Sequence, residues 1–240
     1  MSSPLLAMPV EYVNYTITNV NGTLWAKIDG NYPIYLVNQS NYAFNGELPM
    51  VYPMPPETTN IHVTLDDKEL SWINYTESYP EAKHHTAIGD WWMIYSVLSN
   101  VSNSFVLKIH YEHPLEMVNG SYQFLYDLNI SPYLSAQSSS STAYFTVRME
   151  TNTANLKAYT TETDTKWNPI NYTITKEGSK EIVAIQLYSE YSKPLLGDLV
   201  VTFSKVDQVP EFPSWIILLI VTAMVMVSAG LLVYFKKHKP

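Results

Sequence analysis

The segment 110–113, with the sequence HYEH, has the residue types that bind a metal ion. Imidazole nitrogens and carboxylate oxygens are common ligands of zinc, which usually has four of them. Because side chains alternate along a strand, His110 and Glu112 would share one face and His113 would point away. One short strand therefore cannot enclose an ion, and no pattern links it to the pair His84-His85. We predict solvent-exposed histidines near a strand end, with no metal and no cofactor.

Three acidic residues, Asp66, Asp67 and Glu69, form a second group with ligand chemistry. A Ca²⁺ ion takes about six to eight oxygen ligands, so neighbouring loops would have to supply several. The spacing of an EF-hand loop is absent, and two adjacent aspartates between apolar segments are typical of a turn. The sequence therefore predicts a hairpin tip at Asp66-Asp67.

The tryptophans and tyrosines are a third candidate, because aromatic rings can form a platform for sugars. Trp91 and Trp92 are adjacent, and Trp72 and Trp25 precede them in the chain. Neighbouring residues of a strand point to opposite faces, so only one of Trp91 and Trp92 can lie in the core. A fold without disulfides also fills its core with aromatic side chains. We favour core packing and keep ligand binding as the alternative.

Signatures of known catalytic sites are missing from the sequence. It contains no HExxH, P-loop, GxSxG or GxGxxG pattern, each of which places a catalytic or phosphate-binding group on a defined turn or helix. We predict that the protein is not an enzyme. A hydrolase whose residues are scattered along the chain is the remaining catalytic alternative.

The elements that position these residues are predicted to be β-strands. Several short segments alternate apolar and polar residues and are rich in Tyr, Thr, Val and Ile, as half-buried strands are. Asp29-Gly30 predicts a turn between strands 23–28 and 32–37, and the Pro-rich stretch 49–56 predicts an extended connection. The prediction is an all-β fold of one or two immunoglobulin-like β-sandwiches, followed by a single C-terminal transmembrane helix.

Domain boundaries follow from changes in composition. Residues 1–9 are an N-terminal segment, too short and without the basic residues of a signal peptide. We expect a truncated or processed start, and export directed by the C-terminal tail is the alternative. Residues 10–114 form a β-sandwich domain, and residues 115–206 form a second one or continue the first. Residues 207–214 are a Pro-containing stalk, 215–235 the transmembrane helix and 236–240 a basic tail.

The C-terminal helix is predicted from an uncharged apolar run at 216–235. Twenty residues at ~1.5 Å each span about 30 Å, the thickness of a bilayer's hydrocarbon core. Trp215 and Tyr234 stand where aromatic belts form at the two interfaces, and basic residues follow. Basic residues stay in the cytoplasm, so the body is extracytoplasmic and the lipid bilayer is a partner. These lysines are Lys236, Lys237 and Lys239.

A short motif precedes the apolar run: Pro210, Glu211, Phe212 and Pro213. Together with the helix and the basic end, the segment from 209 to 240 resembles the PEF-CTERM class of archaeal C-terminal sorting signals. The resemblance implies an archaeal cell-surface protein and an archaeosortase-type processing enzyme as a partner. It does not extend to the body of the protein.

Charge and asparagine sequons agree with an exposed body. All 22 Asp and Glu precede the apolar run, and an acidic body disfavours nucleic acid as a partner because phosphates are repelled. Turn chemistry is the alternative explanation of the many sequons, because Asn, Ser and Thr are common in turns. Acceptors for N-glycosylation occur at Asn14, Asn21, Asn38, Asn74, Asn100, Asn119, Asn129 and Asn171.

These features predict a membrane-anchored, glycosylated cell-surface protein. Its expected role is structural or adhesive, through contacts with envelope proteins or glycans. The alternative is a receptor module that binds carbohydrate or peptide through exposed aromatic side chains.

Overall fold

The computed structural model describes residues 5–37, 44–75, 91–130, 133–134, 140–163, 166–178, 180–195 and 197–206. These residues form strands and turns without an α-helix, which confirms the all-β class. The strands, in chain order, are β1 Leu5–Ala7, β2 Val10–Val20, β3 Thr23–Val37, β4 Phe44–Met54, β5 Thr59–Leu65, β6 Lys68–Glu69, β7 Ile73–Tyr75, β8 Trp92–Val101, β9 Ser104–Pro114, β10 Glu116–Val118, β11 Ser121–Asp127, β12 Ser140–Met149, β13 Thr153–Thr163, β14 Lys166–Pro169, β15 Thr173–Glu177, β16 Lys180–Glu190 and β17 Asp198–Lys205.

The described strands pair into three sheets. The large sheet has nine strands in the order β15-β16-β12-β2-β3-β9-β5-β6, with β1 paired to β3. A five-stranded sheet has the order β10-β11-β17-β13-β14, and a three-stranded sheet has the order β4-β8-β7.

The large sheet has one buried face and one face toward solvent. On β2, residues 11, 13, 15 and 17 are buried, and the residues between them are exposed or half-buried. The strands β3, β9, β12 and β16 repeat this alternation. This is the period-2 pattern expected of a sheet that covers a core on one side. We call the buried side the inner face and the other side the outer face.

Both smaller sheets pack on the inner face. Tyr15 of β2 stacks on Phe124 of β11, with ring centroids 4.5 Å apart. From the three-stranded sheet, the ring of Tyr52 on β4 meets Tyr111 of β9 edge-on at 6.0 Å. The buried apolar residues of all three sheets form one continuous cluster, which is the core shared by the described strands.

A parallel pair joins the two halves of the chain. Strand β12 lies beside β2, with Tyr144 opposite Tyr12 and Met149 opposite Ile17. Residues before and after the predicted boundary near 114 therefore share one sheet and one core. An immunoglobulin-type sandwich divides about seven to nine strands between two sheets. The nine-stranded sheet with a central parallel pair differs from that predicted arrangement.

The predicted turn at Asp29-Gly30 is wrong. These residues lie in the middle of β3, where Gly30 pairs with Val13 on one side and with Ile109 on the other. A β-carbon at Gly30 would lie 2.6 Å from Cζ of Tyr32. Only glycine leaves enough space at this position for the Tyr32 ring, which lies over residue 30.

The Pro-rich stretch 49–56 is also different from its prediction. Most of it belongs to β4, in which Pro49 pairs with Val97 and Pro53 with Met93 of β8. Strand β4 is an edge strand of its sheet, and edge strands accept proline because one side of such a strand forms no ladder hydrogen bonds.

The predicted C-terminal features lie outside the described residues. This applies to the stalk, the motif from Pro210 to Pro213, the flanking Trp215 and Tyr234, and the lysines from 236 to 239. Within the described ranges, no helix has the length and apolar character needed to cross a bilayer.

Candidate functional site

A cavity of about 460 Å³ lies between the inner face of the large sheet and the two smaller sheets. We call it the tyrosine cavity, because its wall is dominated by phenol rings from β3, β4, β7, β8, β9 and β11. Trp91, Met50 and Met93 add further apolar surface. The tyrosines of the wall are Tyr32, Tyr52, Tyr75, Tyr95, Tyr111, Tyr126 and Tyr133.

A chain of hydroxyl groups ends at a carboxylate in this wall. The Tyr126 hydroxyl donates to Oε2 of Glu11 at 2.8 Å. It lies 3.2 Å from the Tyr32 hydroxyl, which in turn lies 3.0 Å from that of Tyr52. Because a hydroxyl carries one proton, donation to Glu11 leaves Tyr126 to accept from Tyr32. The chain can therefore run from Tyr52 through Tyr32 and Tyr126 to the carboxylate.

Glu11 is the unusual member of the wall. It occupies an inner-face position of β2 and is 1% exposed. Burial raises the pKa of Glu11 to about 7; the Tyr126 hydroxyl opposes the rise and the Asp127 carboxylate adds to it. The group is therefore half protonated near neutral pH, so it can exchange a proton with little driving force.

The tyrosines of the chain stay protonated. Burial raises the pKa of Tyr32, Tyr52, Tyr111 and Tyr126 well above 10, and negative charge on Glu11 or on neighbouring phenols adds to the effect. Their hydroxyls remain hydrogen-bond donors at any pH at which the fold persists.

A second cavity of about 330 Å³ lies near Pro55, His113 and Phe124, and Trp91 lines both cavities. His113 is 5% exposed, which contradicts the prediction that the histidines of 110–113 are solvent-exposed. Its Nδ1 lies 2.8 Å from the carbonyl oxygen of Pro114. A carbonyl oxygen only accepts, so the proton is on Nδ1. Nε2 has no hydrogen-bond partner among the described residues.

Burial lowers the pKa of His113 to about 4, and the hydrogen bond to Pro114 only partly opposes this. The ring is therefore neutral at physiological pH. It stacks on Tyr111 at 6.0 Å, which explains an inward histidine as part of the aromatic packing.

His110 and Glu112 share the outer face, as predicted. His110 Nδ1 lies 2.7 Å from Oδ1 of Asp29 on the neighbouring strand, and its Nε2 lies 3.9 Å from Glu112. Asn60 Nδ2 donates to Glu112 at 3.0 Å. No cluster of metal-ligand type occurs in the described ranges. His84 and His85 lie outside them.

The hairpin tip at Asp66-Asp67 is confirmed. Both residues have positive φ, 50° and 62°, as a type I′ turn requires. The Asp66 carboxylate accepts from the backbone N–H of Val106 at 2.8 Å, and Asp67 pairs with Lys108. The two carboxylates thus fasten the hairpin to β9.

Two of the four tryptophans considered above pack against the core, and one lines the cavities. Trp92 donates from Nε1 to the carbonyl of Pro55 at 3.1 Å, and its ring lies 6.3 Å from that of Trp72. Both pack against the core, while Trp91 lines the cavities and Trp25 is half-buried on β3.

Seven of the eight sequon asparagines lie in the described part, and Asn38 lies outside it. Asn21 and Asn119 each precede a glycine and have positive φ, 52° and 51°, so turn geometry alone explains these two asparagines. Asn129 is half-buried and lines the tyrosine cavity. The exposed sequon asparagines of the described part are Asn14, Asn21, Asn74, Asn100, Asn119 and Asn171.

Glu11 and the hydroxyl chain are not among the residues predicted from the sequence. One signal was available: Glu11 stands in register with Val13, Tyr15 and Ile17, at the apolar positions of an alternating strand. An acid in such a register is placed in the core, where an unpaired charge is unfavourable. The convergence of Tyr32, Tyr52 and Tyr126 had no sequence signal, because three separate strands supply them.

No model of a known protein family matches the sequence. No curated protein matches it at a significant level. Among solved structures, the chain is similar to a Legionella pneumophila protein proposed to be nutrient-binding, with a TM-score of 0.54 and 13% identity over 85% of this chain and 68% of that one. It also aligns with leukotriene A4 hydrolase of Saccharomyces cerevisiae in complex with bestatin, with a TM-score of 0.45 and 8% identity over 83% of this chain and 29% of that one. The first similarity is one of fold.

Proposed function

We propose that this protein is a cell-surface binding protein that takes a small organic ligand into the tyrosine cavity. The observation that carries the proposal is the cavity itself. Its volume of about 460 Å³ falls within the range of ligand pockets, about 300–1,000 Å³. Its wall combines aromatic faces with a few convergent polar groups, the composition that fixes a small molecule in one orientation.

The energetics of the core favour binding over a purely structural role. A structural domain gains stability by filling its interior, and an open space or a buried acid works against that. Here Glu11 is buried, no basic side chain of the described residues pairs with it, and it lies beside a cavity that larger side chains could fill. Features that lower stability in this way are typical of functional sites.

The predicted anchor and surface location are part of the proposal. The apolar run 216–235, its basic end and its resemblance to a sorting signal support a membrane-anchored body outside the cell. Exposed sequons at Asn14, Asn74 and Asn171 support glycosylation of that body. We expect binding without a chemical reaction.

An adhesive role in the envelope is the second candidate. Tyr12 and Tyr144 stack on the outer face, with ring centroids 5.5 Å apart, and are 44% and 40% exposed. Exposed aromatic pairs can contact sugars or protein surfaces. This role would use the outer face and leave the cavity unused, so the two candidates can be tested separately.

Filling the cavity tests the binding proposal. Val51 on β4 lines the cavity, and Val20 is exposed near the end of β2. We expect Val51→Trp to abolish the thermal stabilisation that bound metabolites give the full-length protein, whereas the matched control Val20→Trp keeps it. Equal responses of the two variants would contradict the proposal.

Location is tested on the native protein. Membrane fractions washed with carbonate should retain the chain, and deglycosylation should lower its mass. Replacing Lys236, Lys237 and Lys239 by Glu should disturb its orientation, because basic residues set it. A chain recovered unmodified in the washed-off fraction would contradict the anchor and the glycans together.

A further inference from the structure

We propose that the ligand of the tyrosine cavity carries a positively charged nitrogen and that Glu11 binds it. The inference rests on the proposed function, because it names the ligand class of the same cavity. Three independent properties of the wall point to a cation: its charge, its aromatic faces and the unused hydrogen-bonding capacity of Glu11.

The charge of the wall favours a cation. Glu11 and Asp127 line the cavity, and its described wall contains no Lys, Arg or His. Charges interact more strongly in a protein interior than in water. An anionic ligand would be repelled by the buried carboxylate of Glu11, while a cation would neutralise that carboxylate.

The aromatic faces favour a cation as well. The faces of Tyr and Trp rings carry negative electrostatic potential and attract ammonium groups, most strongly where water is excluded. The Tyr52 ring lies 6.1 Å from that of Tyr32, with tilted planes, and 6.0 Å from that of Tyr111, edge-on. Rings at such angles enclose a small group from several sides.

Glu11 has room for a further donor. An ionised carboxylate offers about four lone-pair positions on two oxygens. Among the described residues, Tyr126 is the one side chain that donates to Glu11, and it does so at Oε2. An ammonium nitrogen has several N–H donors and a positive charge. Its hydrogen bonds to the carboxylate would be charge-assisted, and such bonds are about twice as strong as neutral ones.

Binding should release a proton. The pKa of Glu11 is about 7, so near neutral pH the cation must displace a proton from Glu11 in part of the molecules. Because only the ionised fraction binds, the apparent affinity should fall roughly 100-fold from pH 8 to pH 5. Burial raises the pKa of the tyrosines that face Glu11, so they stay protonated over this range, and the Asp127 carboxylate only adds to the raised pKa of Glu11. The groups that face Glu11 are Tyr126 and Asp127 from β11, Tyr32 from β3, Tyr15 from β2 and Tyr133.

Three probes with the same phenyl group and different charge test the inference on the full-length protein in detergent by calorimetry. They are 2-phenylethylamine, which is a cation, 2-phenylethanol, which is neutral, and 3-phenylpropionate, which is an anion. We expect the amine to bind most tightly and to release a proton, measured in buffers of different ionisation enthalpy at pH 6.5. The Val51→Trp variant is the control: because its cavity is filled, the heat measured with it is that of probe partition into the detergent micelles.

The variant Glu11→Gln keeps the shape of the side chain and removes its charge. We expect it to weaken binding of the amine about 10- to 100-fold, the range for a lost charge-assisted hydrogen bond, and to leave binding of the alcohol unchanged. If this variant fails to fold, proton release by the wild-type protein decides the question.

The outcomes separate the two proposals. If the alcohol or the carboxylate binds as tightly as the amine, or if the amine binds without proton release, the inference about the cation is wrong and the cavity remains a binding site. If none of the three probes binds, the proposed function itself fails.

Discussion

The two faces of the large sheet differ in how they use the same kinds of residue. On β9, His110 and Glu112 lie on the outer face, while Tyr111 and His113 lie on the inner face. The outer residues form surface pairs with Asp29 and Asn60. The inner residues stack on one another between two cavities. A shift of one position along the strand separates these two environments.

The comparison shows that the ionisable groups with shifted pKa values lie on the inner face. On the outer face, water screens each charge and a pair contributes little. On the inner face, burial moves the pKa of Glu11 up to about 7 and that of His113 down to about 4. The segment richest in candidate ligands is therefore largely structural, and a single acid in an apolar register is the group with shifted chemistry.

The largest expected effect comes from Glu11. Its pKa rises from 4.5 in the unfolded chain to about 7 in the fold, so its contribution to stability is full below pH 4.5 and is lost as the pH rises to 7. A shift of this size corresponds to roughly 3 kcal/mol. We expect the unfolding free energy of Glu11→Gln to lack this decrease with rising pH, as measured by denaturant unfolding from pH 4.5 to 8. The same slope in both proteins would show that Glu11 is not buried in the fold.

His113 should give a change of similar size with the opposite sign. Its pKa falls from 6.5 in the unfolded chain to about 4, so its contribution is full above pH 6.5 and is lost as the pH falls toward 4. This again corresponds to roughly 3 kcal/mol. We expect His113→Phe to keep the ring stacking on Tyr111 and to flatten the acid side of the profile. If the variant and the wild-type protein lose unfolding free energy equally as the pH falls from 6.5 to 4, His113 is in contact with solvent.

A smaller effect is expected at Gly30, which makes room for the Tyr32 ring. An added β-carbon meets that ring, so Gly30→Ala should lower the unfolding free energy by about 1–3 kcal/mol, as overpacking does. In the background of Tyr32→Ala the same change should have little effect, and the difference measures the coupling of the two positions. Additive effects would mean that the two side chains do not meet.

The smallest effect is expected on the outer face. The side chains of His110 and Asp29 are 25% and 53% exposed. We expect His110→Gln and Asp29→Asn each to change the unfolding free energy by less than about 1 kcal/mol, as exposed pairs do. A loss of more than about 2 kcal/mol would erase the contrast between the faces.

Much of the fold follows from local sequence pattern. The alternation in 12–18 and 182–187 places β2 and β16, and Asp66-Asp67 marks a hairpin tip. Local pattern fails where a neighbour across the sheet decides the conformation. Asp29-Gly30 has the composition of a turn, but strands on both sides and the Tyr32 ring hold it extended.

The candidate site is less visible in the sequence than the fold. Glu11 is detectable, since an acid in an apolar register is unusual. Its partners are not, because Tyr126 is 115 residues away in the chain. The parallel pairing of β2 with β12 is equally hidden, because side-chain alternation reports burial and not which strand lies beside which.

The pairing of β2 with β12 also governs the order in which the chain can assemble. One edge of β2 pairs with residues 142–149 of β12. The backbone groups of this edge have no strand partner until that segment has been synthesised and has paired with β2. Contacts between distant segments form slowly because a long loop must close first. An open edge attracts other strands in the meantime. Strand β2 must therefore be protected from misassembly until the middle of the chain has been made.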